Sequence, residues 1–282
     1  MDDATVEAAR RHVVMFSSGA GSAVAAKRVA DKYGTDDLTL LFADVNMEHH
    51  DNYRFLVEAS AWVGGELVIL NNDGRTIWDV FKAGRFLGNT RVDLCSRVLK
   101  REPMRAWLDA NRDPSDTVVH LGFDISEEHR ITRAAPYWEP WHVEAPLCWE
   151  PVIWKDQALA TLVAAGIEPP LLTRQGFPHA NCGGGCVKAG VGQFKRLLLM
   201  APNTYREWED HEEDIRAHLG ADVSILRDRT GGDVTPLTLR TLRKRIQSQG
   251  SLLALLEADE GDSCNCMGDY ADTPVEIGSP RG

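Results

Sequence analysis

The sequence predicts an α/β protein built on a doubly wound parallel sheet, followed by a mainly helical C-terminal region. Short apolar runs, typical of strands covered on both faces, recur along the first half of the chain. Helix-forming stretches lie between these runs, and strands that alternate with helices at this spacing indicate a parallel sheet. The predicted strands are residues 13–16, 38–43, 66–70 and 117–122.

The helices of the first half are predicted from periodicity and from residues typical of helix ends. Ser22 is the expected N-cap of the first, Ala-rich helix, and Gly34 is expected at its end because glycine takes positive φ without strain. Pro103 is expected to bend or split a helix over residues 96–110, since proline lacks the backbone N–H. Two further helices are expected over residues 51–63 and 76–83.

The composition changes after about residue 132. Prolines and tryptophans over residues 136–154 predict a connector that is not regular helix. The second half is expected to contain helices over residues 155–165, 193–200, 205–219 and 237–247, and a short strand over residues 223–226.

Composition and charge limit the class of protein. The 282 residues are 43 % hydrophobic and 26 % charged, as in globular proteins. Neither an apolar run long enough to span a membrane nor a basic, apolar signal peptide is present, so we expect a cytoplasmic protein without a membrane partner. A net charge of −11 argues against broad nucleic-acid binding. The basic segment from Arg240 to Arg245 keeps an RNA or other nucleic-acid substrate open, and a homodimer is a further expectation.

The segment Phe16-Ser-Ser-Gly-Ala-Gly-Ser22 joins the first strand to the first helix and carries only small side chains after Phe16. The free N–H groups of the first helical turn and the positive end of the helix dipole point into such a loop, which predicts a phosphate or sulfate site. An ordinary turn between strand and helix is the alternative. The residues expected to bind the anion are Ser17, Ser18, Gly19, Ala20, Gly21 and Ser22.

Polar residues also follow the second and fourth predicted strands. Asp44 comes directly after one, and Gly122 and Asp124 follow the other, where the ligand crevice of an open α/β sheet lies. Arg130 is a candidate to hold a sulfate or phosphate, because the planar guanidinium binds such anions in bidentate fashion. The acidic residues before it, among them Glu128, also fit a solvated helix start.

Two cysteines flank three glycines in the segment Cys182-Gly-Gly-Gly-Cys186. Three consecutive glycines disfavour a helix, so the thiols are expected in a folded loop that supplies two ligands of a metal site. We expect a 4Fe–4S cluster ahead of zinc. The candidates for the remaining ligands are Cys95, Cys148, Cys264 and Cys266. For Cys95 and Cys148 the alternative is a small, buried hydrophobic role.

The first loop resembles the PP-loop of the adenine nucleotide alpha-hydrolase superfamily, in which a strand ends in Ser-Gly-Gly-x-Asp-Ser. Ser17, Gly19 and Ser22 match this pattern, whereas Gly21 stands where the ATP pyrophosphatases carry aspartate. The sulfonucleotide reductases also lack this aspartate. The segment from Leu121 is similar to their Gly-x-x-x-x-Glu-x-x-Arg, and the segment around Cys95 is similar to their cysteine-plus-basic stretch.

Over about residues 12–200 the chain therefore resembles the phosphoadenosine phosphosulfate reductase-like family, including its divergent phage and CRISPR-associated members. The resemblance implies an adenine nucleotide, either ATP or phosphoadenosine phosphosulfate, with its adenine near Ala43 and Asp44. It also implies the catalytic residues: Arg97, Lys100 and Arg130 to neutralise the anion, and Cys264 or Cys266 to attack sulfur. The tail departs from the family's Glu-Cys-Gly-like ending.

Two other functions fit the same resemblance. One is a Mg-ATP-dependent enzyme that adenylates a nucleobase or RNA for thiolation, with another carboxylate in place of the missing aspartate at Gly21. The other is a non-catalytic nucleotide-binding accessory protein of a phage or CRISPR-type assembly. In each case we expect a Rossmann-like nucleotide-binding domain over residues 1–135, a helical region bearing the cysteine loop over 136–258, and a flexible tail over 259–282.

Overall fold

The computed structural model describes residues 10–88, 92, 94–230 and 233–248. Its centre is a five-stranded sheet in the order β3-β2-β1-β4-β5, parallel throughout. The strands are β1 (Arg11–Met15), β2 (Leu38–Ala43), β3 (Glu66–Leu70), β4 (Thr117–His120) and β5 (His142–Glu144). The predicted Rossmann-like, doubly wound α/β fold is therefore confirmed.

Apart from the helix over Glu128–Trp138, which the sequence did not predict, the helices of the described chain follow the predicted order. They are α1 (Ala20–Tyr33), α2 (His50–Val63), α3 (Ile77–Ala83), α4 (Glu102–Asn111), α5 (Glu128–Trp138), α6 (Lys155–Ala164), α7 (Val191–Met200), α8 (Pro202–Leu219) and α9 (Leu239–Ser248). A short antiparallel hairpin of β6 (Leu226–Asp228) and β7 (Thr235–Leu237) precedes α9. Single turns lie at Asn72–Gly74, Leu94–Ser96, Ile125–Glu127, Pro146–Cys148, Leu171–Arg174 and Asn181–Gly184.

Alternate side chains of the central strands pack into two different helical layers. On β1, Val14 faces a cluster formed with α1, α2 and α6, whereas Val13 and Met15 face a cluster formed with α4 and α5. Because side chains of a strand alternate in direction, both faces of the sheet need apolar residues. This is why β1 and β2 appear in the sequence as continuous apolar runs.

The C-terminal region has its own buried cluster. It combines α3 with α7, α8, α9 and the β6–β7 hairpin around Trp208 and Tyr205, and it includes three of the cysteines, Cys95, Cys182 and Cys186. Among the described residues, no helix combines the length and the apolar character needed to cross a membrane.

The expectation that residues 136–154 contain no regular helix is confirmed beyond Trp138 and is wrong only at the start of this stretch. Helix α5 continues to Trp138 with Pro136 inside it. The proline lies in the last turn of the helix, where it removes one intrahelical hydrogen bond and leaves the turns before it intact. The three-residue β5 follows and pairs with β4 from Val118↔His142 to His120↔Glu144, so the sheet includes residues beyond the predicted division at 135.

The prediction for Pro103 is confirmed. The expected helix is split into a turn at Leu94–Ser96, a π-helical turn at Arg97–Arg101 and α4, in which Pro103 occupies the second position. Proline offers no N–H to the carbonyl four residues earlier, and the side-chain amide of Asn72 donates to that carbonyl, Leu99 O, at 2.8 Å.

A buried carboxyl group joins α8 to the hairpin and to α9. Glu212 is fully buried and accepts hydrogen bonds from the N–H groups of Ile225 at 2.9 Å and Leu239 at 2.6 Å. Burial raises the pKa of Glu212 from 4.5 to about 7, against the opposing effect of the two N–H donors.

This carboxyl group makes stability depend on pH. Between about pH 4.5 and 7 the folded protein binds more protons at Glu212 than the unfolded chain does. The contribution of Glu212 to the free energy of unfolding is therefore present at low pH and is lost as the pH rises. We expect the difference in free energy of unfolding between the wild type and Glu212→Gln to narrow by about 1–3 kcal/mol from pH 5 to pH 8. Urea unfolding at several pH values measures it, and a constant difference would contradict the assignment.

Candidate functional site

The strand order creates a topological switch point between β1 and β4. From β1 the chain proceeds to β2 and β3 on one side of the sheet, and from β4 it proceeds to β5 on the other side. The loops that leave the carboxyl ends of two such strands part to opposite faces and open a crevice, which is where ligands bind in open α/β sheets. The loop from Phe16 to Gly19 and the loop from Leu121 to Asp124 flank this crevice.

Helix α1 begins in the crevice without a side-chain cap. Its N-cap is Gly19, and no side chain caps the first turn. The first N–H groups of a helix have no intrahelical partner, and the positive end of the helix dipole lies beside them. The prediction of Ser22 as N-cap is wrong: this residue lies inside the first turn, where its hydroxyl donates to Gly19 O at 2.9 Å and accepts from Ser17 N at 3.1 Å.

Ser18 is the unusual residue of this loop. It is 1 % exposed, it has a positive φ of 53°, and none of the described residues hydrogen-bonds to its Oγ. A non-glycine residue at positive φ stores strain, and a buried hydroxyl without a partner costs about 1–3 kcal/mol. A bound group that accepts the hydroxyl proton removes the second of these costs but not the first.

The end of β4 packs directly on this loop. A Cβ at Gly122 would lie 2.8 Å from Ser22 Cα, and a Cβ at Gly21 would lie 3.1 Å from Gly122 O. The close contact explains why a larger residue, such as the aspartate of the PP-loop pattern, has little room at Gly21. Gly19 is different, because its Cβ would contact only Ser17 Oγ, at 3.5 Å.

Arg130 lies close to the same edge. Its guanidinium stacks on Phe123, 4.4 Å from the ring centroid, and forms an ion pair with Glu127, while no described group hydrogen-bonds to its buried Nε. Asp124 is occupied locally, since it accepts the N–H of Ser126 at 2.9 Å. The backbone of Glu128 begins α5. The structure thus places Arg130 on Phe123, the residue that follows Gly122.

Asp44 follows β2, next to β1. Its carboxylate accepts hydrogen bonds from Asn46 N at 2.8 Å and from Tyr53 Oη at 2.9 Å. Its N–H donates to Leu70 O, and its carbonyl accepts from Asn72 at 3.0 Å. With the N–H occupied, the backbone of Asp44 offers an adenine base only the second lone pair of its carbonyl oxygen. The adenine contact at Ala43 and Asp44 stays a prediction.

Arg97 and Lys100 project from the π-helical turn, and both have acidic neighbours. Lys100 Nζ lies 3.6 Å from Glu48 Oε1, with the two side chains 13 % and 2 % exposed. Arg97 is half-exposed and lies 3.5 Å from Glu102 Oε1. Glu48 also accepts the N–H of Cys182 at 3.1 Å, so it connects Lys100 to the cysteine loop. Glu48 was missed by sequence reasoning.

Three cysteines, one from the turn at Leu94–Ser96 and two from the cysteine loop, lie near Lys100. Cys95, Cys182 and Cys186 are buried, and all three act electrostatically on its ammonium group. Burial lowers the pKa of Lys100, but Glu48 and the three thiols outweigh it, so the pKa lies above its ordinary value. Burial raises the pKa of Glu48, an effect that Lys100 and the Cys182 N–H reduce.

Cys182 and Cys186 hydrogen-bond to each other. The thiol of Cys182 donates to the sulfur of Cys186, which raises the pKa of Cys182 and lowers that of Cys186; Lys100 and the N–H of Lys188 also favour the Cys186 thiolate. Cys148 lies elsewhere, 3.7 Å from Phe123 O and beside Arg28. Cys264 and Cys266 lie outside the described residues.

The cysteines and their neighbours do not form a metal centre from the described residues alone. In the described part of the chain, no group of three or more His, Cys, Asp or Glu side chains is arranged to hold a metal ion. The ammonium group of Lys100 is instead close enough to the three thiols for them to raise its pKa. The described residues therefore do not fit a cluster by themselves, and no chemical step is derived through one.

His179 is a further polar group near this cluster that sequence reasoning missed. Both of its ring nitrogens are buried, and no described residue hydrogen-bonds to either. Burial lowers its pKa to about 3, with Lys155 and Lys100 as further causes, so the ring is neutral at physiological pH. The only signal for His179 in the sequence was its position, three residues before Cys182 of the cysteine loop.

The basic segment of α9 is largely engaged in ion pairs. Arg243 Nε lies 2.7 Å from Glu209 Oε2, and Arg240 Nε lies 3.2 Å from Glu209 Oε1. Arg245 pairs with Asp228. The segment thus presents less free positive charge to a nucleic acid than its sequence indicates, and the nucleic-acid partner stays a prediction, as does the homodimer.

Comparison with known proteins gives structural neighbours only. No family model matches the chain, and no curated protein matches it. The NMN synthetase from Francisella tularensis resembles it at 18 % identity and a TM-score of 0.39, over 57 % of this chain and 63 % of the synthetase, which is less than two thirds of that enzyme's length.

Two further solved structures resemble the chain. The phosphoadenylyl-sulfate (PAPS) reductase from Candida auris, in its phosphate complex, is 18 % identical with a TM-score of 0.43, over 60 % of this chain and 80 % of the reductase. The NH3-dependent NAD synthetase from Campylobacter jejuni subsp. jejuni NCTC 11168, in complex with nitrate, is 14 % identical with a TM-score of 0.40. The match covers 74 % of this chain and 82 % of the synthetase. At these values the likenesses assign no activity to this chain.

Proposed function

We propose that this protein binds the phosphate or sulfate of an adenine nucleotide in the loop between β1 and α1. The observation that carries the proposal is the buried hydroxyl of Ser18, without a described partner, beside the uncapped N-terminus of α1 at the switch point of the sheet. The N–H groups of the first turn donate to the anion, and Arg130 supplies a cation at the neighbouring edge.

The sequence pattern supports a sulfonucleotide reductase or sulfur-transfer enzyme of the phosphoadenosine phosphosulfate reductase-like type. Gly21 leaves the loop without the carboxylate that ATP pyrophosphatases carry there, and the nearby carboxylates of Asp44 and Asp124 already accept local hydrogen bonds. A sulfonucleotide needs no Mg²⁺ at this position, because S–O cleavage releases no pyrophosphate. The sulfur nucleophile is proposed to be Cys264 or Cys266.

Ligand preference and products separate this proposal from its two alternatives. The proposed enzyme binds phosphoadenosine phosphosulfate or adenosine phosphosulfate without Mg²⁺ and releases sulfite when a thiol reductant is supplied. A Mg-ATP-dependent adenylating enzyme releases pyrophosphate, and an accessory protein binds a nucleotide without turnover. Calorimetry and product analysis measure these outcomes, and tight Mg-ATP binding with pyrophosphate release would replace the reductase by the adenylating enzyme.

The variant Ser18→Gly tests the anion site itself. Glycine keeps the positive φ without strain and removes only the hydroxyl, so we expect unchanged or higher thermal stability together with about 5- to 10-fold weaker nucleotide binding. The matched control is Ser115→Gly, which removes an exposed hydroxyl bonded to Asp113 far along the chain. Equal nucleotide affinities of wild type and Ser18→Gly would contradict the site.

A further inference from the structure

The loop that carries Cys182 and Cys186 is built to hold two sulfurs together. It makes a tight turn in which Gly185 N donates to Cys182 O at 3.2 Å, and the two thiols hydrogen-bond to each other. Cys182 takes a positive φ of 52°, a conformation that L residues rarely adopt. A strained cysteine persists only where surrounding contacts fix it.

The three glycines between the cysteines supply those contacts. A Cβ at Gly183 would lie 3.3 Å from Met47 O, one at Gly184 would lie 3.0 Å from the Phe177 ring, and one at Gly185 would lie 2.3 Å from the Trp208 ring. The loop is therefore pressed against its surroundings along its whole length. It fixes the backbone around two thiols that hydrogen-bond to each other, so the two sulfurs lie close together before any S–S bond forms.

We propose that Cys182 and Cys186 form a reversible dithiol–disulfide pair, a redox site beside Lys100 that is distinct from the anion loop. The oxidant is of the peroxide class. One thiolate attacks a peroxide oxygen, the O–O bond breaks, and a sulfenic acid and water form. The second thiol attacks the sulfenic sulfur, forms the S–S bond and releases a second water, so two thiols are oxidised and one peroxide is reduced.

Reduction restores the pair by thiol–disulfide exchange with a dithiol, which leaves as its own disulfide. Cys95 is the third thiol near Lys100, but it belongs to the turn before the π-helical segment and not to the cysteine loop. The thiol–thiol hydrogen bond in this structure joins Cys182 to Cys186. The proposal therefore assigns the disulfide to the loop pair and leaves Cys95 reduced. It does not depend on which nucleotide the protein binds.

The chain offers a direct readout. Cleavage after Arg174 and Lys188 by trypsin releases a peptide of residues 175–188 that contains Cys182 and Cys186 and no other cysteine. The full-length protein, purified without oxygen and reduced, is treated with a few equivalents of hydrogen peroxide, alkylated with N-ethylmaleimide and digested. We expect this peptide to lose 2 Da and carry no alkyl group, and to regain two alkylation sites after dithiothreitol treatment.

The Cys95→Ser variant is the matched control, and its 175–188 peptide is expected to oxidise as in the wild type. Two alkyl groups on the peptide after peroxide treatment would overturn the proposal. So would a crosslink between this peptide and the one containing Cys95, or near-stoichiometric iron or zinc in the anaerobic protein that protects the thiols. Because the outcomes that would overturn the proposal are all read from the wild type, the result does not depend on the folding of the control variant.

Discussion

Replacing Gly19 by valine is expected to abolish adenine-nucleotide binding while the protein stays folded. Gly19 has an extended backbone, with φ −110° and ψ 158°, which β-branched residues adopt readily. A Cβ there would contact only Ser17 Oγ, at 3.5 Å, so the first atom of a side chain meets no close neighbour in the ligand-free protein. In the complex its methyl groups occupy the space over the first turn of α1, where the anion approaches the backbone.

Calorimetry with phosphoadenosine phosphosulfate and ATP measures the loss, and thermal unfolding monitored by circular dichroism confirms the fold. We expect more than a 100-fold loss of affinity for Gly19→Val and a smaller loss for Gly19→Ala, because alanine adds only the Cβ. A folded Gly19→Val protein with wild-type affinity would show that the anion does not bind in this loop.

The strands and most helices could be predicted because their signals are local. The runs of β2 and β3 have the predicted ends, and Gly34 ends α1 with a φ of 88°, since only glycine takes such a conformation readily. The predictions that failed concern features that depend on residues close in space but distant in the chain, or on the shape of a loop. The three residues of β5 form a strand because β4 lies beside them. Ser22 fits an N-cap pattern, but the loop places its hydroxyl on Gly19 O inside the helix.

The short segments that form the candidate site could be predicted from the sequence, but the contacts between residues far apart in the chain could not. The loop after β1 and the cysteine pair each occupy a few consecutive residues, so their small side chains and spacing are visible in the sequence. Glu48 is separated from Lys100 by 52 positions and from Cys182 by 134, and nothing in its local pattern indicates either partner. Lys100 was expected to bind an anionic ligand because the sequence shows its positive charge. The sequence does not show that the carboxylate of Glu48 is its partner.

Replacing Lys100 by methionine is expected to destabilise the protein by about 3–5 kcal/mol, because it leaves Glu48 as a buried carboxylate without its cation. Glu48 keeps two donors, Cys182 N at 3.1 Å and Asn52 Nδ2 at 3.3 Å. Burial raises the pKa of Glu48 already, and loss of Lys100 raises it further. A carboxyl group with a raised folded pKa loses its contribution as the pH rises, so the cost of Lys100→Met is expected to be larger at pH 8 than at pH 5.

The double variant Lys100→Met/Glu48→Gln separates the ion pair from packing. Glutamine keeps an oxygen for the Cys182 N–H and removes the buried charge, so we expect the double variant to recover most of the lost stability, although each residue contributes other contacts. Urea unfolding of the four proteins gives the coupling energy between the two residues. A cost below about 1 kcal/mol for Lys100→Met, without pH dependence, is what a solvated surface pair would give. That result would contradict a buried charge pair connecting the π-helical turn to the cysteine loop.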